Sequence, residues 1–291
     1  MERYFSSAGH ITRKGVRLIR HPAVAGQFYS DSKPSLVSEI KRCFESPLGP
    51  GSSSPPAKAD SPKTVGAVSP HAGYVYSGPV AAHLYRKLWA QKPPKTVVIM
   101  GPNHTGYGAG IAVTSEYFET PLGVVKTDGA LIGELVDDLV VDDPEAHLAE
   151  HSLEVQIPFM QFIGWDPLIV PICIGIQDFD VLVELGNRLK KAVSGRDDVL
   201  VIASSDMSHY VPPKVAKELD MQAVDRILAM DPRRLYDTII SKNITMCGFA
   251  PTIAMMVALK GAKAELLKYA TSGDVRPMQE VVGYASISLD K

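Results

Sequence analysis

Three short segments place polar, metal-competent residues directly behind apolar runs: Ser69-Pro70-His71-Ala72-Gly73-Tyr74, Gly101-Pro102-Asn103-His104 and Ser204-Ser205-Asp206-Met207-Ser208-His209. Imidazoles and carboxylates bind zinc, iron and copper, and an imidazole also exchanges protons near neutral pH. Each segment follows a run that reads as a buried strand, at 64–68, 96–100 and 199–203. In an open α/β sheet the carboxyl ends of parallel strands converge on one crevice, where ligands bind. Three histidines far apart in sequence are therefore expected to be neighbours in space. The small residues Ala72 and Gly73 let other groups approach the backbone beside His71. Asp206 and His209 would share a face if a helix starts at Ser205, with Ser204 or Ser205 as its cap.

A second polar cluster is Glu150-His151-Ser152-Leu153-Glu154. A His-x-x-Glu pair on one helix face suits a zinc ion. The reading favoured here is support, with His151 and Glu154 holding the far sides of metal ligands. Cys247 stands just before an apolar helix running to about Leu259, where a helix N-terminus biases a thiol toward the metal-binding thiolate; a buried inert cysteine is the alternative. Cys173, within a Val/Ile strand, and Cys43, on an apolar helix face, read as core. His83 reads as a surface or supporting residue, His10 and His147 have no context that suggests chemistry, and His21 lies within reach of a site that does not require it. There is no phosphate-binding Gly-rich loop, no dinucleotide fingerprint and no Gly-x-Ser-x-Gly elbow, so no nucleotide cofactor is expected. Ser205, Asp206 and His209 lie within five positions and cannot form a hydrolase triad.

The elements that must position these residues alternate. A polar, flexible tail is expected over 1–20, then a single domain over 21–291, interrupted by a Pro/Ser-rich surface loop at 47–62. His21 to Tyr29 reads as a short strand or extended segment. A helix follows Pro34, with Leu36, Ile40, Cys43 and Phe44 on one face. Further helices are expected at 78–91, 129–140, 151–163, 179–193 and within 213–260. A strand is expected at 168–174, an antiparallel excursion at 111–126, and a terminal hairpin at 265–271 and 281–289. This alternation predicts an α/β fold: one domain with a central mixed, largely parallel sheet flanked by helices. The 291 residues are 45% apolar, with a net charge of −2, which gives no electrostatic footprint for nucleic acid. The basic run at 13–17 reads as a solvated stretch. No apolar run reaches the length of about 20 residues that a membrane span needs. Three scattered cysteines and no signal-type apolar centre lead to a cytoplasmic expectation.

The motifs singled out resemble those of the Memo (mediator of cell motility) family. The likeness rests on Pro70-His71-Ala72-Gly73-Tyr74, Gly101-Pro102-Asn103-His104, Glu150 to Glu154, Ser204 to His209, Met246-Cys247-Gly248 and Gly283-Tyr284-Ala285-Ser286, and extends from about His21 to the C-terminus. The resemblance implies a fold similar to class III extradiol dioxygenases, non-haem iron(II) enzymes in which two histidines and a carboxylate hold the metal. By that resemblance His71 and His104 are metal ligands, Cys247 stands where the carboxylate would be, His209 is the acid/base group, and Asp206 orients the site or binds metal at its edge. A thiolate is softer than a carboxylate and shifts preference toward copper(I), zinc or thiolate-bound iron.

The resulting expectation is a metal-binding, redox-active protein using Fe(II), Cu or Zn, an oxidoreductase of unspecified substrate. Two other readings stand beside it: a non-catalytic module whose crevice binds a peptide or partner, and a zinc-dependent hydrolase built on His151 and Glu154 with a third histidine. The ligand would be a small molecule or peptide. The resemblance also implies radical-SAM and AMMECR-type proteins as pathway partners.

Overall fold

The computed structural model describes residues 18–58 and 63–291. The basic run at 13–17, His10 and the last residues of the Pro/Ser-rich loop lie outside these. In chain order the elements are β1 (Ile19–Arg20), α1 (Lys33–Glu45), β2 (Thr64–Ser69), α2 (Tyr74–Trp89), β3 (Thr96–Pro102), β4 (Ile111–Val113), β5 (Tyr117–Thr120), β6 (Gly123–Val125), α3 (Gly129–Leu135), β7 (Val141–Asp142) and α4 (Ile157–Phe162). They continue with β8 (Leu168–Ile174), α5 (Phe179–Ala192), β9 (Val199–Ser204), β10 (His209–Val211), α6 (Pro213–Leu228), α7 (Pro232–Lys242), α8 (Phe249–Ala258), β11 (Lys263–Thr271), α9 (Ser272–Val275) and β12 (Val281–Asp290).

Four strands, in the order β2-β9-β3-β8, form a parallel centre. Antiparallel β12 extends it beyond β2, and β4 extends it beyond β8. β10 and β11 both pair with β12, and β7 adds parallel to β4. β2, β3 and β9 are buried along their whole length, as strands covered by helices on both faces must be. Along β3 the side chains alternate between two cores. Val98 and Met100 pack with α5 and α8, whereas Val97 and Ile99 pack with α1, α2 and α4. All four apolar residues expected on α1 are buried. The single α/β domain with a mixed, largely parallel sheet is thus what the alternation predicts. Among the described residues, no helix is long and apolar enough to cross a membrane.

Several local expectations change. Ile19 and Arg20 are not tail: they pair in parallel with Tyr117 and Phe118 of β5, within a separate β1-β5-β6 sheet, and Arg20 is buried. Residues 21–30 form a turn closed by an Ala25–Tyr29 bridge rather than a strand. No helix starts at Ser205. Residues 205–208 run in irregular backbone because Met207 N–H donates to Gly283 O and Gly283 N–H donates to Ser208 O, tying the segment to β12. Asp206 and His209 therefore share no helix face. The helix expected over 151–163 narrows to a 3-10 turn at Glu154–Gln156 and the short α4, which starts with Pro158 in its first turn.

Candidate metal centre

The strand-end argument rests on register. β2 and β3 flank β9, with Ser69 opposite Ser204 and Met100 opposite Ala203, so the chain leaves all three strands at one edge. Immediately past those ends stand His71, His104 and the 205–209 segment. The short helical region after β7 brings His151 to the same place. The ring centroids of His71 lie 5.1 Å from His104 and 5.4 Å from His151, and those of His104 and His151 are stacked at 4.6 Å. One ring nitrogen from each of these three lies within 4.8 Å of the others, a spacing at which they could hold one metal ion.

Hydrogen bonds on the far side of the His71 and His104 rings decide which nitrogen of each faces inward. The Ser204 hydroxyl donates to Ser152 O at 2.6 Å and accepts from the Gln156 amide at 2.9 Å. Its remaining lone pair must accept from His71 Nδ1–H at 3.0 Å. Neutral His71 therefore presents the lone pair of Nε2 on its other side, where the Cys247 thiol stands at 3.2 Å. At His104, Nδ1 donates to Glu150 Oε1 at 2.9 Å and the backbone N–H donates to Oε2 at 2.6 Å. Ser152 N–H also donates to Oε1, at 2.8 Å, and His151 Nδ1 stands 3.5 Å from the same oxygen. A ligand histidine whose other nitrogen is held by a carboxylate is the arrangement that fixes tautomer and ring orientation in metal sites.

Burial keeps His71 and His151 unprotonated at neutral pH. Burial pushes His71 well below the ordinary histidine value, aided by the nearby His151, His104 and His209 and opposed by its Ser204 contact. Burial likewise lowers His151 to about 4, with Glu150 pulling upward. Burial alone would raise Glu150, but the hydrogen bond and charge of His104 and the Ser152 amide hold it at about 2. It is thus an ionised acceptor at neutral pH. The His71 side lies deep, while the His104 and His151 side chains keep 32% and 19% of their exposure, so the centre opens on that side. The Phe28 ring sits 4.6 Å from His151 and forms a wall beside it.

The remaining predicted residues surround this cluster. Cys247 Sγ lies 3.2 Å from His71 Nε2 and accepts from Asp206 N–H at 3.3 Å. It is not part of the three-nitrogen group, and burial followed by the Asp206 charge pushes its thiol up, so it is protonated at neutral pH in the absence of a cation. Asp206 Oδ1 accepts from the backbone of His71 at 2.8 Å and of Ala72 at 3.3 Å. Burial raises that carboxyl to about 6 against these two amides. His209 donates its backbone N–H to Thr245 Oγ1 at 2.7 Å and its Nδ1–H to Thr245 O at 2.8 Å, which leaves Nε2 as an acceptor. Glu154 is elsewhere engaged. Its carboxylate pairs with Arg20 at 2.6 Å and accepts from Ala23 N–H, Val24 N–H and the Tyr29 hydroxyl, anchoring the 20–29 segment. Arg20 also donates to His147 O and Glu150 O, so this anchor fixes the segment that carries Glu150 and His151.

Sequence reasoning passed over Glu150, Ser204, Gln156 and Thr245 as site residues. Glu150 had a local signal, a carboxylate directly preceding a candidate ligand; the other three act through tertiary hydrogen bonds that no spacing rule encodes. His21 bonds exposed Glu119, and His83 bonds Leu48 O, so neither enters the centre.

The family model for Memo-like proteins matches residues 20–288. A MEMO1 family protein of Methanococcoides burtonii is 48% identical over 92% of this chain and 99% of its own length. Another, from Methanothermobacter thermautotrophicus, is 43% identical over 93% of this chain and 100% of its own. Among solved structures, the uncharacterized protein JW3007 from Escherichia coli K12 superposes with a TM-score of 0.53 at 15% identity, over 78% of this chain and 99% of that one; the likeness is one of fold alone. On the family model and these full-length relatives, the chain belongs to the Memo-like family.

Proposed function

We propose that this chain is a metal-dependent redox protein that binds one transition-metal ion on His71, His104 and His151 and acts on a small molecule entering beside His104 and His151. The observation that carries the reading is the grouping of one nitrogen from each of three rings within 4.8 Å, with the outer nitrogens of His71 and His104 held by Ser204 and Glu150 and that of His151 3.5 Å from Glu150. Neutral imidazole donors suit iron(II), copper and zinc. When bound, such an ion would polarise a substrate oxygen and, if iron or copper, exchange electrons with it.

The chain's own residues supply the rest. Glu150 orients His104 and flanks His151. His209, with Nδ1–H fixed on Thr245 O, is free to take a proton at Nε2. Asp206 holds the His71 backbone in place. The Cys247 thiol, against His71 Nε2 on the deep side, is an oxidisable group and the alternative sulfur donor that the sequence reading favoured. A zinc hydrolase built on Glu154 has less support, because that carboxylate is buried in the Arg20 anchor. The test is oxygen uptake by anaerobically iron- or copper-loaded protein against a panel of phenols and thiols. Uptake that needs both substrate and His209 supports the proposal. Stoichiometric metal with no turnover of any redox substrate would overturn the redox part.

A further inference from the structure

A cleft of about 440 Å³ opens where the first turn of α6 meets β11 and α9, and it shares no lining residue with the histidine centre. Its walls carry three lysines: Lys214 and Lys217, three apart on α6, and Lys268, facing them from β11. None of the three forms an ion pair among the described residues, whereas Lys87 pairs with both Glu265 and Asp290. The one carboxylate at the cleft, Asp274, has its Oδ2 committed to the Thr271 amide and hydroxyl at 2.7 and 2.8 Å. The Tyr269 hydroxyl is likewise turned away, donating to buried Asp220 at 2.8 Å. Leu48 gives the cleft an apolar side.

Three cations against one hydrogen-bonded carboxylate in a concave surface leave a net positive charge that raises the local potential and favours an anion. The N-cap of α6 is Pro212, which makes no side-chain cap, so the positive end of a 16-residue helix adds to the same field. A phosphate monoester carries nearly two charges and three acceptor oxygens, which matches three ammonium donors better than a single carboxylate does. The volume exceeds that of a bare oxyanion and leaves room for a carbon skeleton against Leu48. We propose that this cleft is a second, independent binding site of the chain, for the phosphate monoester of a small molecule.

The test is isothermal calorimetry on the whole chain at fixed ionic strength, with glycerol 3-phosphate and inorganic phosphate as probes and acetate as a single-carboxylate control. Both phosphates are expected to bind, glycerol 3-phosphate more tightly. Affinity should fall about tenfold or more in Lys214→Gln/Lys217→Gln and in Lys268→Gln, since each removes charge-assisted bonds, while His104→Ala binds as wild type. Circular dichroism melts confirm that the lysine variants are folded. The assignment is overturned if neither phosphate binds, if the lysine changes leave affinity unaltered, if acetate binds as tightly, or if His104→Ala abolishes binding, which would put the anion at the histidine centre.

Discussion

Replacing Glu150 with Gln keeps the side chain's shape and removes its charge. The two carboxylate oxygens accept three N–H groups: His104 N at Oε2, and His104 Nδ1 with Ser152 N at Oε1. A Gln amide offers one oxygen and one NH2. The less costly orientation puts the oxygen at the Oε1 position, so the NH2 faces the His104 amide, donor against donor. One buried donor left unpaired costs about 1–3 kcal/mol. The bonds that remain lose their charge assistance, roughly half their strength. Urea unfolding at pH 7 should therefore show a loss in that range, and metal affinity measured by chelator competition should fall about 10–100-fold, as for other residues that orient a ligand.

The pH dependence gives a second reading of the same variant. Glu150 is held at about 2 against an ordinary value of 4.5, so its stabilisation is present in full above 4.5 and is lost as pH falls toward 2. That difference corresponds to about 3 kcal/mol. Glu150→Gln should lose this part of the acid limb. Wild-type stability, acid limb and metal affinity in the variant would refute the view that this carboxylate orients the centre.

Other consequences are independent of one another. Glu154→Gln should destabilise the fold by about 3–5 kcal/mol in urea unfolding, because it strands buried Arg20; a loss under about 1 kcal/mol would mean Arg20 is satisfied without it. His147 is buried with neither ring nitrogen well partnered, and burial, then the Arg20 charge, lowers it to about 4. The unfolded chain takes up that proton first, so stability should decline as pH falls from 6.5 through 4, and His147→Phe should flatten this decline in pH-dependent unfolding curves. Elemental analysis should find one metal ion per chain in Cys247→Ala and well under one in His151→Ala; the reverse pattern would assign the third ligand to sulfur.

The strands were legible because fully buried β2, β3 and β9 are unbroken apolar runs, and their ends carried His71 and His104 into view. What was not legible depends on contacts made across the chain. Ser205 looked like a helix start because Ser is a good cap, yet bonds to Gly283 on β12, some 75 positions later, hold 205–208 in irregular backbone. His151 and Glu154, three apart, looked like a pair. The local 3-10 turn and the pull of Arg20 separate them, with His151 at the centre and Glu154 in the N-terminal anchor. Arg20 itself carried no signal, since a lone arginine beside a polar stretch gives no hint that it will be buried against a carboxylate 134 positions away.

The central claim is that three imidazoles hold one ion, and X-ray absorption spectroscopy of the metal-loaded chain tests it most directly. The expected result is a first shell of about three imidazole nitrogens near 2.0–2.1 Å with the remaining positions filled by light atoms, unchanged in Cys247→Ala. A sulfur scatterer near 2.3 Å with only two imidazoles, lost in Cys247→Ala, would contradict it.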